Sequence, residues 1–199
     1  MKDVYIITAH SPHSPGGVWG DRSEYADSLK LSLAVKKELQ SLFGIDAKII
    51  YGREYSGIPE DAFVFSFHRD GNMKNCRKTG ASVYVNEKAS ANVQFDAFRF
   101  LECFTGNGGF RYLGVHTSGK GGAFRRMFSC LGMNTFVFTL GFMDEESENL
   151  LFDENLCDFA RLFADTLYEI LKEKEYETDA PFYKTSGRGE QFENTENCA

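Results

Sequence analysis

The sequence predicts an α/β fold, a mostly parallel twisted sheet with helices on both faces. Three observations lead there. Short runs rich in β-branched and aromatic residues alternate with stretches of helical periodicity, the alternation that builds βαβ units. Those runs are apolar almost throughout, as strands covered on both sides are. The 199 residues are 42% apolar and include 19 Phe, enough for one core that stands without staples.

Val4-Tyr5-Ile6-Ile7 is the first strand, and it runs out through Thr8-Ala9-His10 into a Pro/Gly/Ser-rich loop from Ser11 to Gly20. Helical spacing holds from Ser23 to Phe43. Ser23 can cap the start and Gly44 ends it. At 100° per residue Glu24, Leu31, Val35 and Leu42 fall within about 20° of one line, so a carboxylate heads the apolar face. Ala47 to Tyr51 and Ala62 to His68 (AFVFSFH) are two more strands, the second again closed by a histidine. A polar turn, Arg69 to Thr79, precedes a strand over Ala81 to Val85 and a helix over Ala91 to Cys103. Gly106 to Gly122 reads as a Gly-rich stretch and Thr135 to Phe142 (TFVFTLGF) as the last strand. Leu156, Phe159, Ala160, Phe163, Leu167, Ile170 and Leu171 mark an amphipathic closing helix.

The periodicity is lost at Lys174. Residues 1–173 form the predicted domain, and 174–199 a polar, acidic C-terminal tail suited to ordering on a partner. A net charge of −7 argues against a broad nucleic-acid or anionic-membrane surface. Five cysteines at wide spacings, with no CxxC, are neither a disulfide framework nor a zinc ribbon and suit a reducing compartment. No run approaches the roughly eighteen apolar residues of a membrane span, and the first ten residues lack the apolar core of a signal peptide. Cytoplasmic synthesis without a signal peptide is the expectation.

Active sites of open α/β sheets collect at the carboxyl ends of strands. Two of the four histidines, His10 and His68, end apolar strands, and Glu24 heads the helix after the first of them. Two imidazoles and a carboxylate, with a place left for water, are the usual donor set of catalytic zinc. Spacing alone favours a plainer reading, with strand-end histidines satisfying backbone groups and Glu24 favouring the helix dipole, since short-range motifs such as HExxH are absent.

Ala9-His10 after an apolar strand, Glu24 opening a helix, Ser66-Phe67-His68 closing another strand, and Gly80 leading Val83-Tyr84-Val85 together resemble the zinc-dependent N-acetylmuramoyl-L-alanine amidases. These are the peptidoglycan hydrolases of bacterial autolysins and phage endolysins. Residues 136–142, followed by an acidic turn and a terminal helix, look like the last strand of that family. The match spans about residues 3–173 and is strongest at the three ligand positions. The resemblance implies a zinc hydrolase (amidase/carboxypeptidase-like) architecture and one Zn2+ held by His10, Glu24 and His68. It implies cleavage of the amide between the lactyl group of N-acetylmuramic acid and the L-Ala of the stem peptide. Peptidoglycan is then the partner, with neither nucleic acid nor membrane. The chain would act at the cell wall after release or delivery in a phage or phage-like setting, with the tail as an attachment segment.

One position departs from the family. Its last strand carries a glutamate that serves as base toward the attacking water, and here that position is Thr139. A hydroxyl is not a base near neutral pH, and general acid–base help is typically worth about 10²- to 10⁴-fold. The resemblance therefore implies an amidase of reduced activity or, alternatively, a catalytically impaired wall-binding or structural module of a phage-like particle. A zinc amidase or carboxypeptidase on another substrate is a third reading. Thr139 is expected to face the site and hydrogen-bond water or substrate, with His116 the preferred substitute for the base. Asp70 reads as a turn former, His13 as a loop residue, and Glu145 and Glu146 as solvated charge.

Tyr51 to Asp61 is too short for the Arg-bearing helix that the family places before its second histidine, and Arg69-Asp70-Gly71-Asn72 replaces a small-residue segment by the expected substrate groove. Gly114 to Gly121 matches GxxxxGK without the following Ser or Thr or a long apolar strand before it, and reads as a mobile Gly-rich loop. Lys120, Arg125 and Arg126 read as ordinary surface charge, or as a basic patch for stem-peptide carboxylates.

Overall fold

A computed structural model describes residues 2–52, 54–71, 78–106, 109–118 and 124–179. The elements in order are β1 (Val4–Thr8), β2 (Val18–Trp19), β3 (Arg22–Ser23), α1 (Glu24–Phe43), β4 (Lys48–Tyr51), β5 (Phe63–Asp70), β6 (Ala81–Asn86), α2 (Ala91–Thr105), β7 (Tyr112–Ser118), α3 (Arg125–Cys130), β8 (Thr135–Phe142) and α4 (Glu146–Asp179). Six strands form one sheet in the order β4-β1-β5-β8-β6-β7, and β2 and β3 form a separate ribbon. β4, β1, β5 and β8 are parallel; β6 runs antiparallel to β8, and β7 parallel to β6. The carboxyl ends of β1, β5 and β8 thus share one edge, which is where a site can form.

Helices lie on both faces, unequally. Leu31, Val35 and Leu39 of α1, Phe100 and Phe104 of α2, and Phe159, Phe163 and Leu167 of α4 pack with Phe63, Phe65, Phe67, Phe136 and Phe138 in one core. Among the described residues the opposite face has only the six-residue α3, whose Met127 and Phe128 cover Tyr5, Ile7, Val64 and Val137. Strand alternation sorts residues between the two. In β5 Phe63, Phe65 and Phe67 enter the large core, whereas Val64, Ser66 and His68 belong to the other side.

Helix α1 starts and stops as its residues require. The Ser23 hydroxyl accepts the Ala26 N–H, and Gly44 takes the left-handed conformation (φ 68°) and donates its N–H to Gln40 O. Leu42, expected on the buried line, is exposed, and Leu39 fills the core instead.

Four segments also differ from the sequence reading. β5 continues through Arg69 and Asp70, where a polar turn was expected, and Arg69 follows Phe67 into the core rather than facing a groove. It pairs with Asp27 at 3.0 Å, bonds Asn149 at 2.9 Å and lies 4.6 Å over the Phe152 ring; burial pulls its guanidinium down to about 10. Part of the expected Gly-rich stretch is β7, which pairs along β6 as an edge strand; residues 119–123, with Lys120, lie outside the described residues. Glu146 is exposed, as solvated charge should be, but it starts α4 rather than lying in the turn. Finally, α4 continues past residue 173 to Asp179, and Lys174 pairs with Asp96 at 2.9 Å, so the boundary drawn at Lys174 falls inside a helix. Residues 180–199 lie outside the described residues.

No helix among the described residues is long and apolar enough to cross a membrane. Cys103, Cys130 and Cys157 are free thiols, and burial pushes Cys103 up to about 11; Cys76 and Cys198 lie outside the described residues.

Candidate metal centre

The chain leaves β1 through Ala9, whose N–H is accepted by Ser28 Oγ at 2.8 Å, and turns sharply at His10, a non-glycine residue with φ of 64°. Such conformations are costly and gather at functional sites. Glu24 opens α1, buried at 8% exposure, and His68 lies near the end of β5. One ligand atom from each of the three side chains lies within 4.8 Å of the others. His10 Nε2 is 2.9 Å from Glu24 Oε2, and His68 Nδ1 is 2.7 Å from Glu24 Oε1.

Supporting contacts fix these atoms. Gly17 N–H donates to Glu24 Oε2 at 3.2 Å. A Cβ on Gly16, whose φ is 76°, would stand 2.5 Å from both Glu24 Oε2 and the His10 ring, so a glycine is required against the ligands. Ser66 donates its hydroxyl proton to Ile7 O at 2.9 Å, which leaves its lone pairs to accept the Nε2 proton of His68 at 3.2 Å. That network keeps a proton on Nε2 and turns Nδ1 to Glu24: without a metal Nδ1 donates to Glu24 Oε1 at 2.7 Å, and it is the ring atom whose lone pair a cation in this group would take. Burial works to raise the Glu24 carboxyl, but the His68 hydrogen bond, the charges of His68 and His10 and the Gly17 N–H together hold it below its ordinary value.

A convergent carboxylate and two oriented imidazoles, packed against a glycine, fit a small divalent cation. Ser28 and Gly16 are supporting residues that the sequence reading did not single out, and it gave Ser66, part of the Ser66-Phe67-His68 strand end, no role of its own. The signal for Ser66 was its place two residues before His68 on a strand, which puts both on one face.

Thr139 of β8 stands beside His68 in the parallel register, and Ser82 of β6 stands beside Thr139. The two hydroxyls share a 2.7 Å hydrogen bond, and Thr139 is 6% exposed. Thr139 thus belongs to the same face as the ligand group. His116 of β7 is not brought to that group. A line of rings separates them: His68 to Phe124 at 4.8 Å, Phe124 to Tyr84 at 5.3 Å, and Tyr84 to His116 at 5.2 Å. Phe124 is the other described non-glycine residue with positive φ, at 61°, so both backbone outliers flank His68. Glu148, buried at the start of α4, accepts N–H groups from Gly80 and Phe142, a clamp between β6 and β8.

No protein-family model matches the chain, and no curated protein matches it by sequence. Its structure is similar to that of an N-acetylmuramoyl-L-alanine amidase from Clostridium difficile 630, at 14% identity and a TM-score of 0.71, covering 87% of this chain and 98% of that one. It is also similar to the catalytic domain of the amidase CwlV from Bacillus (Paenibacillus) polymyxa var. colistinus, at 20% identity, a TM-score of 0.65, and coverage of 86% and 99%. A third similarity is to the catalytic domain of the CD27L endolysin targeting Clostridia difficile, at 13% identity, a TM-score of 0.68, and coverage of 85% and 98%. At these identities the likeness establishes the architecture: the chain has the fold of the N-acetylmuramoyl-L-alanine amidase catalytic domains over nearly their full length.

Proposed function

We propose that the chain is a zinc-dependent N-acetylmuramoyl-L-alanine amidase-like peptidoglycan hydrolase that cleaves the lactyl–L-Ala amide. The observation that carries this reading is the convergence of His10, Glu24 and His68 at one strand edge, on a fold shared with proteins named as amidases of that bond. These three residues would hold the ion. The chemistry zinc supplies in such a set is Lewis-acid polarisation of the scissile carbonyl and activation of a water.

The chain's own residues shape the rest. Ser66 holds the His68 proton on Nε2 and keeps Nδ1 as the donor. Gly17 orients the Glu24 carboxylate. The Thr139 hydroxyl, anchored on Ser82, offers a hydrogen bond to water or substrate but takes no proton at neutral pH. His116, two rings out from His68, is exposed and does not reach the ligand group, so it does not stand in for the base there. Thr139 also favours a second reading, a wall-binding module that keeps the fold and has lost turnover.

Digestion of purified peptidoglycan by the zinc-loaded chain separates the two. Release of new stem-peptide amines, abolished by His68→Ala, is the expected result. No release at one zinc per chain overturns the enzyme and leaves the module. Elemental analysis should show close to one zinc per chain, with less in Glu24→Ala.

A further inference from the structure

The chain has a single tryptophan, Trp19, and it is 58% exposed beside Val18, which is 59% exposed. Both lie on the short β2–β3 ribbon inserted between two of the ligand residues, His10 and Glu24. The ribbon pairs Val18 with Ser23 and Trp19 with Arg22. Consecutive strand residues face opposite ways, so each face of the ribbon presents one large apolar side chain to water, and the indole is the broader of the two.

The ribbon is anchored at every step. Glu24 N–H donates to Gly17 O at 2.9 Å, and Tyr25 N–H to Pro15 O at 3.0 Å. Gly17 N–H returns a bond to Glu24 Oε2, and a Cβ on Gly17 would stand 2.7 Å from Met143 Cε, just past the end of β8. Arg22, opposite Trp19, is tied to Asp27 at 3.0 Å and to Asp153 at 2.6 Å. Trp19 follows Gly17, whose N–H is bonded to Glu24, by two residues, so the ribbon lies no more than about 7 Å of extended chain from a residue that touches the ligand group. A side chain fixed on so rigid a mount loses little freedom on binding.

We propose that the Val18–Trp19 ribbon is a saccharide subsite, with Trp19 stacking on the pyranose that precedes the scissile amide. This rests on the amidase reading above. A pyranose presents apolar C–H faces rimmed by hydroxyls, and an indole presents a broad apolar face with one N–H donor at its edge. Charge decides which part of the substrate goes where. Residues 16–20 carry no charge, which suits an uncharged sugar. A separate neighbour of His68, Phe124, leads to the exposed Arg125 and Arg126 of α3 and, through Tyr84, to the exposed His116, which suit the carboxylates of a stem peptide.

A chain with one tryptophan reports on itself. The zinc-loaded full chain is titrated, while tryptophan emission is followed, with a soluble N-acetylglucosamine–N-acetylmuramic acid disaccharide, with that disaccharide bearing its stem peptide, and with the stem peptide alone. A saturable blue shift with both disaccharide ligands and none with the peptide alone is expected. Calorimetry on Trp19→Ala should show disaccharide affinity reduced about tenfold or more with zinc content unchanged, and Trp19→Phe should restore part of it. A shift given by the stem peptide alone, or unaltered disaccharide affinity in Trp19→Ala, overturns the subsite. If the disaccharide shifts the emission and peptidoglycan is never cleaved, the subsite stands and the amidase reading falls. Cleavage without any emission change gives the reverse, and neither effect overturns both.

Discussion

The two faces of the sheet divide the work of the molecule. On one, α1 packs Leu31, Val35 and Leu39 while α2 and α4 press phenylalanines against phenylalanines from β5 and β8: Phe65 alone meets Phe100, Phe136 and Phe163 at 4.9–5.5 Å. On the other, a six-residue helix covers a small cluster, and the space toward the strand ends holds two hydrogen-bonded pairs, Ser66 with His68 and Thr139 with Ser82. Side chains one residue apart therefore serve different ends. Phe67 fills the core, His68 faces Glu24, and Arg69 returns to the core side against Asp27 and Phe152. Burial on the first face stabilises a platform stiff enough for polar groups to be held unmoving on the second.

The largest effect expected from altering this division is a gain on the open face. Thr139→Glu places a carboxylate where the hydroxyl now meets Ser82, and should raise the rate of amine release from peptidoglycan by about 10²- to 10⁴-fold. The comparison is made per zinc-loaded, folded chain. An unchanged rate would mean that the base stands elsewhere on this face, and Asp70→Asn would be the next variant to assay.

On the covered face the prediction is a loss of stability without loss of the ligand set. Phe65 is fully buried among four rings, and Phe65→Ala should cost about 3–5 kcal/mol in urea unfolding. Below the transition the variant should still bind one zinc per chain. Zinc lost in step with stability would show that the two faces are not separable.

How far each face could be read beforehand follows from the physics of the signal. The covered face was legible because Phe63, Phe65 and Phe67 repeat with strand period, and Leu31 with Val35 on α1 and Phe159, Phe163 and Leu167 on α4 with helical period. Arg69 was misplaced because its charge suggests a turn, although its spacing continues the Phe63, Phe65, Phe67 series; only Asp27 and Asn149, distant in sequence, account for its burial. The ligand residues could be named because strand ends and a helix start carry them. His116 could not be located from sequence, since the distance from β7 to β5 depends on strand order, and β8 and β6 intervene. The β2–β3 ribbon was hidden in a Pro/Gly/Ser-rich segment because two-residue strands have no period to detect. The extent of α4 was underestimated because its last turns pass beyond the core, and one tie there, between Lys174 and Asp96, is ionic rather than apolar.

A smaller effect is expected where the open face meets its mount. Gly16→Ala adds a Cβ against Glu24 Oε2 and His10 at a positive φ. Zinc affinity, measured by competition with a chromophoric chelator, should fall by about 10- to 100-fold, while unfolding free energy falls by only about 1–2 kcal/mol. Equal affinity with reduced stability would show that the glycine serves the backbone alone.

The smallest expected effect belongs to the ionic seam at the rim of the covered face, where Asp153 on α4 meets Arg22 at 2.6 Å and Lys30 at 2.9 Å. The Arg22 hydrogen bond, aided by Lys30 and opposed by partial burial, holds its carboxyl at about 2, against an ordinary value of 3.8. A carboxylate depressed on folding contributes stability that is present above its unfolded value and is lost as pH falls through the folded one. The window is therefore about pH 4 down to about pH 2. With its side chain 39% exposed, Asp153 is screened by solvent, and the contribution is under about 1 kcal/mol. Urea midpoints of metal-free protein across that window should fall less steeply in Asp153→Asn than in the parent. Glu24, also depressed, adds a slope of the same sign on the open face, and it is common to both proteins. The difference between the two curves therefore isolates the seam, and identical slopes would assign the acid sensitivity to the ligand face instead.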